Sequence, residues 1–133
     1  MVKKNITGNK TLKEYKSRKV IFCFDIDNTI CRTISNNYSK SIPIKKNIFM
    51  INKLYEKGYF IKIYTSRYMG RTNSNKKSAI VMGYRNTFNQ LKKWNLKFNK
   101  LIMGKPRYDV FIDDKNLNFS KNWSNTLKKK YLS

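Results

Sequence analysis

The stretch Val20-Ile21-Phe22-Cys23-Phe24-Asp25-Ile26-Asp27-Asn28-Thr29 decides how the chain is read, because an apolar run stops abruptly at two carboxylates. Its first residues are β-branched, aromatic or small, the composition of a buried strand, and Asn28 supplies a turn. A second short run, Val110-Phe111-Ile112, ends at Asp113-Asp114 and leads to Asn116. The two pairs hold four of the chain's seven acidic residues. Ligand sites in parallel α/β sheets form at strand C-termini, and carboxylates beside a core are costly unless compensated. Clustered there, they predict a hard cation.

Working outward, alternating elements are expected. A basic arm over residues 1–18 precedes a single domain over 19–133, a length that suits one core. A polar segment from Arg32 to Ser41 leads to Pro43, which suits a helix start, and Ile44, Ile48, Ile51, Leu54 and Tyr55 then predict a helix that Gly58 stops. A strand follows over 59–64, ending at Thr65-Ser66-Arg67, and a polar loop runs from Gly70 to Lys77. Ile80, Tyr84, Phe88, Leu91 and Trp94 predict a helix face within 79–94. Strands are expected over 98–103 and 109–112, separated by Gly104-Lys105-Pro106, and Trp123, Leu127 and Tyr131 predict a last helix. This order is an α/β layout with a mainly parallel sheet.

The chain contains no His, which removes Ser-His-Asp and Cys-His catalysis, His-ligated zinc and histidine phosphotransfer. Cys23, inside the first strand pattern, is expected to be a reduced core thiol, and neither it nor Cys31 has the Arg six positions on that a thiolate phosphatase loop needs. No stretch is apolar enough to cross a bilayer and no signal-peptide core follows the early lysines, so a cytoplasmic protein is expected. The formal net charge is +23. Such a field attracts small phosphorylated substrates, nucleic acid or an anionic surface, and the competing reading is a solvated Lys-rich exterior.

Carboxylate chemistry remains. Asp25 and Asp27, two apart on extended backbone, leave the same side and can share one substrate. One carboxylate can attack phosphorus to form an aspartyl-phosphate, while the second protonates the leaving oxygen and then activates water. Mg²⁺ would offset the repulsion between carboxylate and phosphate, with Asp113 or Asp114 as a ligand. Thr65 and Lys105 suit the non-bridging phosphate oxygens.

Asp25-Ile26-Asp27-Asn28-Thr29 after an apolar strand resembles the DxDxT signature of haloacid dehalogenase superfamily phosphatases, and Thr65, Lys105 and Asp113-Asp114 are similar to that superfamily's later motifs, in order, over roughly Val20 to Asn118. The resemblance implies a Rossmann-like three-layer sandwich with a mainly parallel central sheet. It implies Asp25 as nucleophile and Asp27 as general acid/base and backbone-carbonyl metal ligand. It further implies Thr65 as phosphate binder, Lys105 as charge stabiliser, Asp113 as metal ligand and Asp114 as a supporting or alternative one. Thr29, Ser66 and Arg67 are the adjoining candidate substrate contacts, with Mg²⁺ as cofactor.

An acid at Asp27 favours phosphatase over dehalogenase. About forty residues separate Asp27 from Thr65, and Thr65 from Lys105, too few for a cap domain. The site of a capless member is open, or is closed by the Arg32-to-Ser41 loop or by homo-oligomerisation. Thr87-x-x-Gln90-Leu91-x-x-Trp94 with Gly104-Lys105-Pro106, Asp109 and Ile112 to Lys115 is similar to small members found among polysaccharide-biosynthesis genes, which implies a sugar or polyol phosphate. Leu91 and Trp94 also read simply as helix core.

Arg67 and Arg107 are read either as substrate clamps or as residues of a surface or sheet-edge ion pair, and Arg32, Asn36, Asn37 and Tyr38 as a flap or a plain polar loop. The expected activity is a Mg²⁺-dependent phosphomonoesterase. Two alternatives stand beside it: a phosphatase of nucleotide or nucleic-acid terminal phosphates, and an inactive basic binding module on the same fold.

Overall fold

The computed structural model describes residues 20–133, so the expected basic arm lies outside the described residues. In chain order these residues form β1 (Ile21–Phe24), β2 (Cys31–Arg32), β3 (Ile42–Pro43), α1 (Lys45–Glu56), β4 (Phe60–Thr65), α2 (Lys76–Lys93), β5 (Lys100–Met103) and α3 (Trp123–Tyr131). β1, β4 and β5 make a parallel sheet in the order β1-β4-β5, with Phe24 opposite Ile63 and Thr65 opposite Met103. β4 is therefore central, and its Ile61, Ile63 and Thr65 are fully buried. β2 and β3 pair antiparallel in a small separate ribbon. The molecule is a mixed α/β protein with a mainly parallel sheet.

Turn chemistry fixes the crossovers. α1 ends in a Schellman arrangement: Gly58, at φ 100°, gives its N–H to Tyr55 and Tyr59 gives its own to Leu54. α2 ends the same way, with Asn95 at φ 59° and the Leu96 N–H on the Leu91 carbonyl. α1 packs on β4 and α3, and α2 on β5. The main core gathers Phe24, Ile26, Ile30, Ile51, Leu54, Ile61, Ile63, Leu91, Leu96 and Trp123. Each such side chain, fully buried, contributes about 1.5–3 kcal/mol.

The structure corrects four expectations. Pro43 does not start α1; it sits in β3 opposite Cys31, because the Ile44 N–H is held by the Ile30 carbonyl and keeps the chain extended. The inward face of α2 is Ala79, Gly83, Thr87 and Leu91, while Ile80 and Tyr84 are exposed. Small residues face inward because the Tyr68 ring lies against Gly83, where a Cβ would come within 2.1 Å of it. Cys23 is exposed on the edge strand β1, and Cys31 is the buried thiol; both are free.

The fourth correction concerns 109–112, which is irregular, with Val110, Phe111 and Ile112 exposed. A run this short needs a ladder partner to stay extended. Phe111 instead packs on Tyr108, with ring centroids 5.0 Å apart, and both rings lie beside the Lys105 ammonium.

Candidate active site

Three residues lie at the C-terminal end of the parallel sheet, one at or just beyond the end of each strand. Asp25 follows β1, Thr65 closes β4, and Lys105 lies just beyond β5, its N–H bonded to the Thr65 carbonyl at 3.1 Å. Gly104, at φ 90°, makes the turn that brings Lys105 back over the sheet. The Lys105 ammonium stands 3.7 Å from Asp25 Oδ1. Tyr108 and Phe111 flank that ammonium with ring centroids 5.2 and 5.1 Å away.

Burial pushes the Asp25 carboxyl above its ordinary range, more than Lys105 and the Ile26 N–H pull it down. For Lys105, burial works against the charge, but Asp25 and the Tyr108 hydroxyl outweigh it and hold the ammonium above its ordinary range. The result is a partly desolvated carboxylate beside a cation that stays charged. The Thr65 hydroxyl accepts the Arg67 N–H at 3.1 Å, which leaves its own proton free to donate.

Asp27 belongs to a second, adjoining network. Arg67 grips its carboxylate two-pronged, Nη2 to Oδ1 at 2.8 Å and Nε to Oδ2 at 2.9 Å. The Thr33 hydroxyl donates to Oδ1 at 2.6 Å. Arg67 is 2% exposed. Its Nη1 donates to Gln90 Oε1 at 2.7 Å, and Gln90 Nε2 donates to the Tyr38 carbonyl at 2.7 Å. The guanidinium also lies over the Tyr38 ring, 4.7 Å from its centre. Burial alone works against the Arg67 charge, and the Asp27 contacts reverse that and hold it above its ordinary range.

Arg67 forms an ion pair, but a buried one and not the surface or sheet-edge pair expected as the alternative to a substrate clamp. The segment from Arg32 to Ser41 is tied to this network through Thr33, Tyr38 and Ser41, and Arg71 adds a 2.6 Å bond to the Asn36 carbonyl. Arg32 itself is exposed, as is Arg107. Ser66 and Thr29 are half-buried; the Ser66 carbonyl receives the Met69 N–H and the Thr29 carbonyl receives the Asn47 amide. Thr33, Ser41 and Gln90 were not singled out as site residues. The five donors of Arg67 demand acceptors because the residue is buried, and no pattern in the sequence showed that burial.

Asp113 and Asp114 are exposed, with Asp113 Oδ1 accepting the Lys115 N–H at 3.2 Å. Among the described residues no group of three or more Asp, Glu or Cys converges as a metal cage. The Asp25 carboxylate and the Asp27 carbonyl are two oxygens Mg²⁺ would use, but among the described residues the exposed Asp113-Asp114 pair does not join them in a cage. The magnesium ligand set is therefore not assembled, and no chemical step is derived through it.

A cavity of about 380 Å³ lies elsewhere, between α1 and α3, lined by Phe49, Met50 and four lysines among others. It shares no residue with the carboxylate site. Among the described residues, no helix is long and apolar enough to cross a membrane.

No family model matches the chain, and no curated protein matches it. A crystal structure of a protein from Vibrio cholerae is similar in fold, with a TM-score of 0.69 and 19% sequence identity, covering 84% of this chain and 98% of that one. The likeness extends to the fold.

Proposed function

We propose that the protein is a phosphomonoesterase of the haloacid dehalogenase type, with the three-layer architecture of that superfamily, working through an aspartyl-phosphate on Asp25. The observation that carries this reading is the Asp25–Lys105 pair at 3.7 Å, at the ends of the two strands that flank β4, whose last residue is Thr65. A partly desolvated carboxylate is a better nucleophile than a hydrated one, and the ammonium offsets the charge of an incoming phosphate. The Asp25 oxygen attacks phosphorus, Lys105 and the Thr65 hydroxyl hold the non-bridging oxygens, and water then cleaves the aspartyl-phosphate.

The substrate is a small phosphorylated metabolite, with sugar phosphates the first class to assay. Mg²⁺ belongs in the assay as the expected cofactor. The test is phosphate release across sugar phosphates, nucleotides and phosphorylated oligonucleotides, comparing wild type with Asp25→Asn. Release that disappears in the variant supports the reading. Release that persists in Asp25→Asn, or none from any monoester, removes it.

A further inference from the structure

We propose that the cavity between α1 and α3 binds a nucleoside polyphosphate, with the base on Phe49 and the phosphates among the lysines that line it. At about 380 Å³ the cavity lies toward the small end of the range of small-molecule sites, which favours a single nucleotide over a strand. Met50, Leu132 and the Phe49 ring give it an apolar side, while Lys45, Lys46, Lys53 and Lys128 line it with charge. It shares no residue with the Asp25 site, so the proposal stands whether or not Asp25 is a nucleophile.

The charge around this cavity is largely uncompensated. Among the described residues, Glu56 is the one acid within ion-pair distance of any of these lysines, 3.8 Å from Lys53, and it also pairs with Lys97 at 2.8 Å. Lys45 and Lys46 stand in the first turn of α1, at the positive end of the helix dipole, where acids are favoured and none is present. The first turn of α3 has no acid either, and its Ser124 and Asn125 line the same cavity. Ser124 is 3% exposed, and its hydroxyl has no hydrogen-bond partner among the described residues. A buried hydroxyl left in that state is costly, and a ligand oxygen in the cavity satisfies it.

The occupant is an anion, because the N-terminal arm and a second copy of the chain both carry the same sign of charge as the cavity. Four ammonium groups call for more than one negative charge, which sets a polyphosphate above a simple carboxylate. On α1, Lys45, Phe49 and Lys53 follow one another at intervals of four residues and so share a face over about 12 Å. Phe49 is 61% exposed even with the Lys53 ammonium 5.1 Å from its ring centre, which leaves an aromatic surface between cations. Charge beside a planar apolar surface matches the joined phosphates and base of a nucleotide.

Isothermal titration calorimetry with ATP and with inorganic tripolyphosphate, both without added metal, tests the proposal. The double variant Lys45→Gln/Lys128→Gln is expected to weaken both ligands at least about 10-fold. Phe49→Ala is expected to weaken ATP roughly 5- to 150-fold, as loss of base stacking does, and to leave tripolyphosphate unchanged. Lys105→Met, in the Asp25 site, is expected to leave ATP affinity unchanged. ATP binding that is absent, that survives both cavity variants or that is lost in Lys105→Met overturns the proposal. Equal losses for ATP and tripolyphosphate in Phe49→Ala overturn it too, as does tighter binding of a thymidine decanucleotide through the same residues, which reassigns the cavity to single-stranded nucleic acid. Both cavity variants replace exposed side chains, and should either fail to fold by circular dichroism the other decides.

Discussion

Lys105 Nζ lies 3.7 Å from Asp25 Oδ1, too long for a good hydrogen bond and well within ion-pair range. The ammonium therefore acts on the carboxylate mainly as a charge, without pinning either oxygen. Replacing it by an uncharged chain of similar length, Lys105→Met, removes one of the influences that hold the Asp25 carboxyl down. Two effects are expected in the rate of phosphate release: a fall of roughly 10²–10³-fold, as for other lost charge stabilisers, and an acid limb moved to higher pH. A pH–rate profile of the variant that keeps the wild-type acid limb would contradict this.

Stability should respond to Asp25 in the opposite sense to a usual salt-bridged carboxylate. Its folded-state carboxyl lies above the unfolded value because burial dominates. The stabilising protonated form is fully present below the unfolded value of about 4 and is lost as pH rises through the folded one. Asp25→Asn cannot lose it. The melting temperature of the variant relative to wild type is expected to rise with pH from 3.5 to 7, as read by thermal denaturation; a difference that is flat or falls over that span contradicts the assignment.

Gly83 is expected to tolerate no side chain. A Cβ there would stand 2.1 Å from the Tyr68 ring, which is buried between α2 and the small cluster of Met69, Ala79 and Met103. Gly83→Ala should cost at least about 1–3 kcal/mol by overpacking, despite the higher helix propensity of Ala. Urea unfolding measures it, and a neutral or stabilised variant would mean that the ring moves freely.

Gly104→Ala is predicted to affect catalysis through Lys105. The φ of 90° disfavours any L side chain, and the added Cβ would meet Lys76 Cγ at 2.6 Å. A stability loss above about 1 kcal/mol is expected, with a fall in kcat larger than that of Gly83→Ala. Equal kcat in the two variants would show that the turn does not set the ammonium's position.

Much of the scaffold was readable because it rests on local rules. The apolar runs before Asp25 and Thr65, and Gly58 closing α1, lie where periodicity and turn chemistry put strands and a helix end. The misread parts depend on what the chain meets in space. Val110-Phe111-Ile112 carries strand-forming residues, yet its aromatic ring packs with Tyr108 beside Lys105. On α2 the bulky residues marked a plausible core face, and Leu91, Phe88 and Trp94 do meet the core, but the Tyr68 ring turns the first half of the helix so that Ala79 and Gly83 face inward in place of Ile80 and Tyr84. At the site, Asp25, Thr65 and Lys105 come together as their strand-end positions suggested. The pairing of Asp27 with Arg67 spans two strands and is buried, where the sequence suggested for Arg67 only a substrate clamp or a surface or sheet-edge ion pair.

That pairing also monitors how the chain has folded. Asp27 and Arg67 are 40 positions apart and stand just beyond β1 and β4, whose alignment sets Phe24 against Ile63. A slip of one residue between those strands would displace one partner by about 3.3 Å and turn alternate side chains to the wrong face. The guanidinium would then be enclosed without its counterion. The ion pair thus acts as a proofreader of strand register, penalising a misaligned sheet before any substrate is met.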